Sequence, residues 1–374
     1  MVKLNSAESI RGLACLAVVF SHLSLSFFPF LYHFNPAEVS TSTWQSLIHH
    51  SPFAFWYSGT AAVFLFFVLS GFVLSYAILR KPEQAEFKIK SMLIKRYPRL
   101  AIPAVISCLV VWAVFQTIHI DSSQMNGWFQ AYVTQDVSLK LALYEGTIGS
   151  FFFAESSVNW VLWTMHIELI GSLVLFLLLY IYQFSRVAFF IGSILLPLIA
   201  LYLKGEGFFL GISSFVIGIY YYLYGKQLSL TLSITLLLSG LYLAGAHSSS
   251  ASYQWIYAVL GERTYDYCNF FAGVLIVYSI LMSPKLSQVL DQKVLVWLGK
   301  LSFSIYLLHL ITLYVVGVPI FNYLLSIGLQ YIISAIIASV IFILITLWIS
   351  AYYSQWVDQL AIKTSQKISD LILK

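Results

Sequence analysis

The sequence predicts an all-α integral membrane protein of about ten transmembrane helices, with both termini cytoplasmic. Three observations predict it. Of 374 residues, 60% are hydrophobic and 9% are charged, whereas a soluble domain carries about 25% charged residues. The apolar residues gather into runs of about 20, the length that crosses a hydrocarbon core about 30 Å thick. With the N-terminus inside, only Lys140, Lys204 and Arg263 of the 20 lysines and arginines fall outside. The positive-inside rule sets that orientation and rejects its reverse.

The runs have approximate limits 10–30, 57–79, 99–119, 158–182, 187–203, 207–224, 227–246, 266–283, 297–319 and 328–353. The first is a span and not a secretory signal. It has only Lys3 as a basic flank, lacks a clear small-residue cleavage site and carries charge. Arg11 and His22 are eleven steps of about 100° apart, so they share one helix face. Their axial separation is about 16 Å, half the hydrocarbon core. With Arg11 near one surface, His22 sits near the midplane. Glu8 lies one turn before Arg11, where it can pair with it. An ionisable side chain inside a membrane is costly and marks a functional site. The plainer reading is that Arg11 snorkels and His22 bonds a neighbouring helix.

The second run carries Ser70-Gly71 mid-span. Helix packing is the simpler role; Ser70 as a nucleophile would need a base, and His22 is the obvious one. The inner segment 80–98 ends in Lys95-Arg96-Tyr97-Pro98-Arg99, with Pro98 suited to the first turn of the next helix. Arg96 and Arg99, three apart at a helix N-terminus, would suit the phosphates of a nucleotide-like cofactor. Topology alone also accounts for basic residues there. Two outer loops follow different spans: 31–56 with His33, His49, His50, Trp44 and Trp56, and 120–157 with Asp121, Trp128, Asp136, Glu145 and Glu155. An interfacial aromatic belt is the first reading of both, a sugar-binding mouth the second.

Glu168 lies within the fourth run, in Trp163-Thr-Met-His-Ile-Glu168. A lone carboxylate in hydrocarbon needs a partner, and His22, Arg11 and His166 are the expected ones. In the ninth run Ser302, Tyr306 and His309 recur at spacings of four and three, so they line one face. Such a stripe either lines a pocket or bonds neighbouring helices. Cys15, Cys108 and Cys268 sit in or beside apolar runs and read as small buried hydrophobes, not a disulfide framework or metal site. Residues 1–353 read as a single multi-span domain. Residues 354–374 read as a short amphipathic tail on the inner surface.

These strings together resemble the acyltransferase-3 family of membrane O-acyltransferases. That family opens on Leu-Asp-Gly-Leu-Arg-Gly, with ten residues between the Arg and a His. Here residues 7–12 read Ala-Glu-Ser-Ile-Arg-Gly, with Glu8 at the Asp position and Arg11 and His22 at the family spacing. The family's Phe-Phe-Val-Leu-Ser-Gly-Phe string stands at 66–72, and its Arg-x-x-Arg matches Arg96 and Arg99. Its Leu-Trp-Ser-Leu-x-x-Glu resembles Leu162 to Glu168, with Thr164 for Ser. Its Ser-Tyr-Ser-x-Tyr-Leu-x-His resembles 302–309, with Phe303 for Tyr. The match runs in order along nearly the whole chain. Because the chain ends soon after its last span, it resembles the stand-alone type, without the extra extracytoplasmic hydrolase-like domain.

The resemblance implies transfer of an acyl group, usually acetyl, from cytoplasmic acyl-coenzyme A to a hydroxyl of a carbohydrate or glycan. It implies a place in the plasma or inner membrane, no metal and no nucleic-acid partner. His22 is then the expected general base, with Arg11 on a coenzyme phosphate or developing negative charge and Glu168 orienting His22. Arg96, Arg99 and Lys95 would hold the coenzyme. Glu8, Ser70, Ser304, Tyr306 and His309 would line the pocket. Direct transfer and a covalent acyl-His22 route both stay open. The alternative from another class is a transporter or flippase for a lipid-linked saccharide, which would release no coenzyme A.

Overall fold

The computed structural model describes residues 2–35, 37–38 and 42–373. Its described residues form helices, turns and loops and no strand. The long helices are α1 (Val2–Phe27), α2 (Gly59–Leu79), α3 (Ala85–Thr117), α4 (Thr164–Phe184), α5 (Arg186–Lys204), α6 (Glu206–Tyr224), α7 (Leu230–Ala244), α8 (Thr264–Leu281), α9 (Lys293–Thr312), α10 (Tyr331–Tyr353) and α11 (Gln359–Ile372). Among the described residues, nine helices are long and apolar enough to cross a membrane. The run expected at 227–246 is the 15-residue α7. At 1.5 Å per residue it spans about 22 Å, short of a full hydrocarbon core.

The second and third spans meet in a way the sequence reading did not expect. The basic segment before Arg99 is not a separate loop. A single 33-residue helix, α3, runs through Pro98 and Pro103. Pro98 therefore sits in a helix interior, where its missing N–H frees the Ile94 carbonyl. Membrane helices tolerate this because neighbouring groups and local backbone adjustments satisfy the freed acceptor. Arg96 and Arg99 lie mid-helix, so no helix N-terminus assists them.

Helix α1 is central, packed between α2 and α9. Its crossing with α9 is close because two glycines face each other. A Cβ on Gly299 would collide with the Glu8 carbonyl, and one on Gly12 would sit 2.7 Å from the Gly299 nitrogen. Small residues at such crossings let backbones touch, which is the main packing gain where lipid offers no hydrophobic drive. The opposite extreme is α5. Its Ile191, Ile194, Leu195 and Leu198 are exposed, the surface a lipid-facing helix needs and a water-facing one avoids.

Helix α11 turns back along the start of α3. Ser369 and Ser91 hydroxyls meet at 2.9 Å, and Lys95 Nζ donates to Gln366 Oε1 at 3.1 Å. Ala361, Ser365 and Ser369 face inward while Leu360 and Leu371 stay exposed. The three cysteines are free and buried.

Candidate active site

Two cavities flank a thin partition in the bundle. The first, about 710 Å³, is lined by Glu8 and Arg11 of α1, Ser70 of α2, Arg96 and Arg99 of α3, Glu168 of α4, and Lys300 and Ser302 of α9. We call it the arginine cavity. Within it Arg11 pairs with Glu8 at 3.3 Å. Arg96 is committed to its surroundings: it meets Glu168 at 2.5 Å and donates through Nε to Ser172 Oγ at 3.0 Å. Ser70 donates to the same carboxylate at 2.9 Å. Arg99 makes no hydrogen bond or ion pair among the described residues and is exposed to the cavity. Arg96, Arg11, Asp358 and Glu8 are the charged groups around it. The cavity wall continues past residue 353 through Ser354, Asp358 and Ile362. Asp358 ends a π-helical turn, Ser354–Asp358, and accepts from Ser304 Oγ at 2.7 Å.

The second cavity, about 560 Å³, is lined by His22 together with Ser21, Thr60, Ser157, Trp128, Trp160 and Trp163. We call it the histidine cavity. Val63 and Tyr306 line both cavities, one on each side of the partition. Tyr306 is held there by donating to the Val161 carbonyl at 2.7 Å and by contact with Thr164 Oγ1 at 3.0 Å.

His22 is positioned from two sides. His309 Nδ1 lies 2.8 Å from the Tyr306 carbonyl and 3.1 Å from the Ile305 carbonyl. Carbonyls only accept, so that nitrogen carries the proton. In a neutral imidazole the other nitrogen is then an acceptor. His309 Nε2 lies 2.6 Å from His22 Nδ1, so His22 donates to it. By the same rule His22 Nε2 holds a lone pair, and no group among the described residues bonds it. Trp128 stacks on the His22 ring at 5.2 Å, and Trp160 meets Trp128 edge-on at 5.4 Å. Trp128 opens a short helix capped by Asn126, whose Oδ1 accepts from the Trp128 N–H. The Asn126 N–H in turn donates to the Ser26 carbonyl at 3.1 Å, one turn beyond His22 on α1.

The structure unites most of the expected residues and redistributes their roles. Arg11 and His22 share a face of α1 but open into different cavities. Glu168 does not orient His22. Its partners are Arg96 and Ser70, because α2, α3 and α4 converge on the arginine cavity, while His22 is served by His309 across the α1–α9 contact. His166 is not its partner either; its Nδ1 donates to the Phe151 carbonyl at 2.8 Å. Ser70 is bonded to a carboxylate and has no imidazole beside it. Lys95 points to α11, outside the cavity lining. Ser304 lies behind the wall, supporting Asp358. Sequence reasoning placed His309 in the pocket lining, but it is absent from the lining of both cavities and instead bonds His22 from behind. That reasoning missed Asp358 and Lys300, and it read Trp128 as an interfacial belt.

The described residues thus form a multi-span helical protein with a charged cavity, an adjoining aromatic one, and a histidine pair whose His22 opens into the aromatic cavity. The chain belongs to the acyltransferase-3 family: the family model, described as an acyltransferase domain, matches residues 4–354. Among curated proteins it is similar to the O-acetyltransferase PaAT-1 of Phomopsis amygdali, 26% identical over 212 residues. That match covers 48% of this chain and 40% of the relative, so the chain spans less than half of that protein's length. No solved structure matches.

Proposed function

We propose that the protein moves an acyl group, acetyl by preference, from acyl-coenzyme A in the arginine cavity to a hydroxyl of a glycan in the histidine cavity. The observation that carries this reading is the free Nε2 of His22, fixed by the proton order through His309 and set beside the wall that both cavities share. The N-terminal side of α1 is cytoplasmic in this reading, as the basic residues require. The membrane is the cell membrane, and the tail helix lies on its inner face.

The steps are these. Arg99 and Arg11 hold phosphates of the donor, with Lys300 beside them. The thioester reaches the partition at Tyr306 and Val63. His22 Nε2 takes the proton of an acceptor hydroxyl as that oxygen attacks the thioester carbonyl. The carbon–sulfur bond breaks, and the departing thiolate takes the proton that His22 accepted, leaving as free coenzyme A and restoring neutral His22. Trp128 keeps the His22 ring in plane, and His309 spreads the imidazolium charge through the short bond between the rings.

The test is His22→Ala, assayed in membranes that hold the protein at its normal level. Acetyl transfer and coenzyme A release should fall by about 10²- to 10⁴-fold, the span of general-base contributions. Wild-type turnover in that variant would remove His22 from the chemistry.

A further inference from the structure

We propose that the acceptor ring seated in the histidine cavity is uncharged: a neutral pyranose residue, and not a uronic acid or a phosphorylated sugar. The proposal rests on the acyl-transfer reading above and names the acceptor class within it.

Charge is segregated between the two cavities. Seven charged side chains line the arginine cavity: Glu8, Arg11, Arg96, Arg99, Glu168, Lys300 and Asp358. No Asp, Glu, Lys or Arg among the described residues lines the histidine cavity. An anion that entered it would lose hydration and find no cation to replace it, a costly exchange. The acidic side chain that backs Ser157 would not help an anion either. Glu145 is buried and accepts from Ser157 Oγ at 2.5 Å and from the Val158 N–H at 2.8 Å.

Proton direction gives a second, independent argument. Ser157 spends its hydroxyl proton on Glu145 and so presents lone pairs to the cavity. His22 spends its Nδ1 proton on His309 and presents the Nε2 lone pair. Two groups of known proton direction thus offer acceptors. They suit a ligand rich in O–H donors. A carboxylate or phosphate, which only accepts, would face lone pairs with its own. Uncharged hydroxyl and aliphatic side chains such as Ser21, Thr60 and Val18 share the rest of the wall with aromatic rings. Trp163 and Tyr265 join Trp128 and Trp160 there, giving π faces on which the C–H face of a saturated ring packs. Hydroxyl edges against acceptors and an apolar face against rings describe a neutral sugar.

The experiment uses the full chain in lipid nanodiscs with acetyl-coenzyme A and two acceptors, methyl glucoside and methyl glucuronide, at equal concentration. Acetylated glycoside is read by mass, coenzyme A release by thiol titration, and donor binding separately by calorimetry. The neutral glycoside should be acetylated with kcat/KM at least tenfold above the uronate. Equal or better turnover of the uronate overturns the proposal. Donor binding without acetylation of the glucoside also overturns it and leaves the acyl-coenzyme A reading standing. Absence of donor binding is instead the failure of that reading. Trp163→Arg, which places a cation on the partly exposed rim, should narrow the preference while donor binding is kept; an unchanged preference counts against the proposal.

Discussion

The Tyr306 carbonyl accepts from His309 Nδ1–H, and each later proton position in the site follows from that bond. The dyad pairs two imidazoles, so a substrate proton taken by His22 gives it a net positive charge. The carboxylate that sequence reasoning assigned to it, Glu168, neutralises Arg96 instead. This separates two arginines that look equivalent in the string Arg96-Tyr97-Pro98-Arg99. Arg99 has a free guanidinium in the cavity, so Arg99→Gln should raise the apparent Kd for acetyl-coenzyme A at least tenfold and leave thermal stability nearly unchanged. Arg96→Gln should do the reverse. It strands Glu168, and breaking a buried pair costs about 3 kcal/mol at the lower end, which suits a pair bordering an open cavity. Donor titrations and thermal melts of both variants check this. Equal effects on affinity would show that the two residues share one role.

Among the elements, the spans were legible and the crossings were not. Length and hydropathy are local properties, and the expected limits fall within about two residues of α2, α5, α6 and α8, while those for α1 and α4 miss one end by a turn or more. Partners across helices depend on tertiary packing, which one sequence does not encode in readable form. Hence Glu168 was given the wrong partners. Trp128 was visible, but its stacking on His22 depends on the Asn126 cap and the bond to Ser26. The loop histidines show the same limit. His49 donates to the Leu31 carbonyl at 3.0 Å and contacts Ser249 Oγ at 2.9 Å, which clasps the loop after α1 to the loop after α7. His247 sits buried in that clasp beside His49, Tyr32 and Tyr265, with His33 and His50 next to His49. Burial, with the His49 charge beside it, holds His247 down at about 3, and burial also lowers His49. Unfolded histidine titrates near about 6.5. Between those values the unfolded chain binds more protons, so stability falls as pH drops below about 6.5. The slope is up to about 1.4 kcal/mol per pH unit for His247 alone. Wild-type protein should therefore melt lower at pH 5 than at pH 7.5, and His247→Phe should narrow that gap. A gap of unchanged size would assign the acid sensitivity to other groups.

At the scale of the whole molecule, the partition is the decisive feature. The helices that meet there keep two chemically opposite spaces apart with two side chains, Val63 and Tyr306. Arg11 and His22 fall on opposite sides because about 16 Å of helix separates them, a distance the sequence already contained. That the distance crosses a wall was not readable, since α2 and α9 build the wall from residues far away in the chain. If acyl transfer runs through this wall, its width should govern turnover independently of either binding event. Val63 is 6% exposed and bears on both cavities. Val63→Trp should thicken the partition. Acetyl-coenzyme A should still bind through Arg99 and Arg11, and His22 should remain stacked and hydrogen-bonded, yet acetyl transfer should fall by at least 10²-fold. Donor calorimetry alongside turnover separates the cases. Parallel loss of binding and turnover would mean the substitution has damaged the arginine cavity. Undiminished turnover with the partition thickened would mean that donor and acceptor meet elsewhere, and the two-cavity mechanism would fall with it.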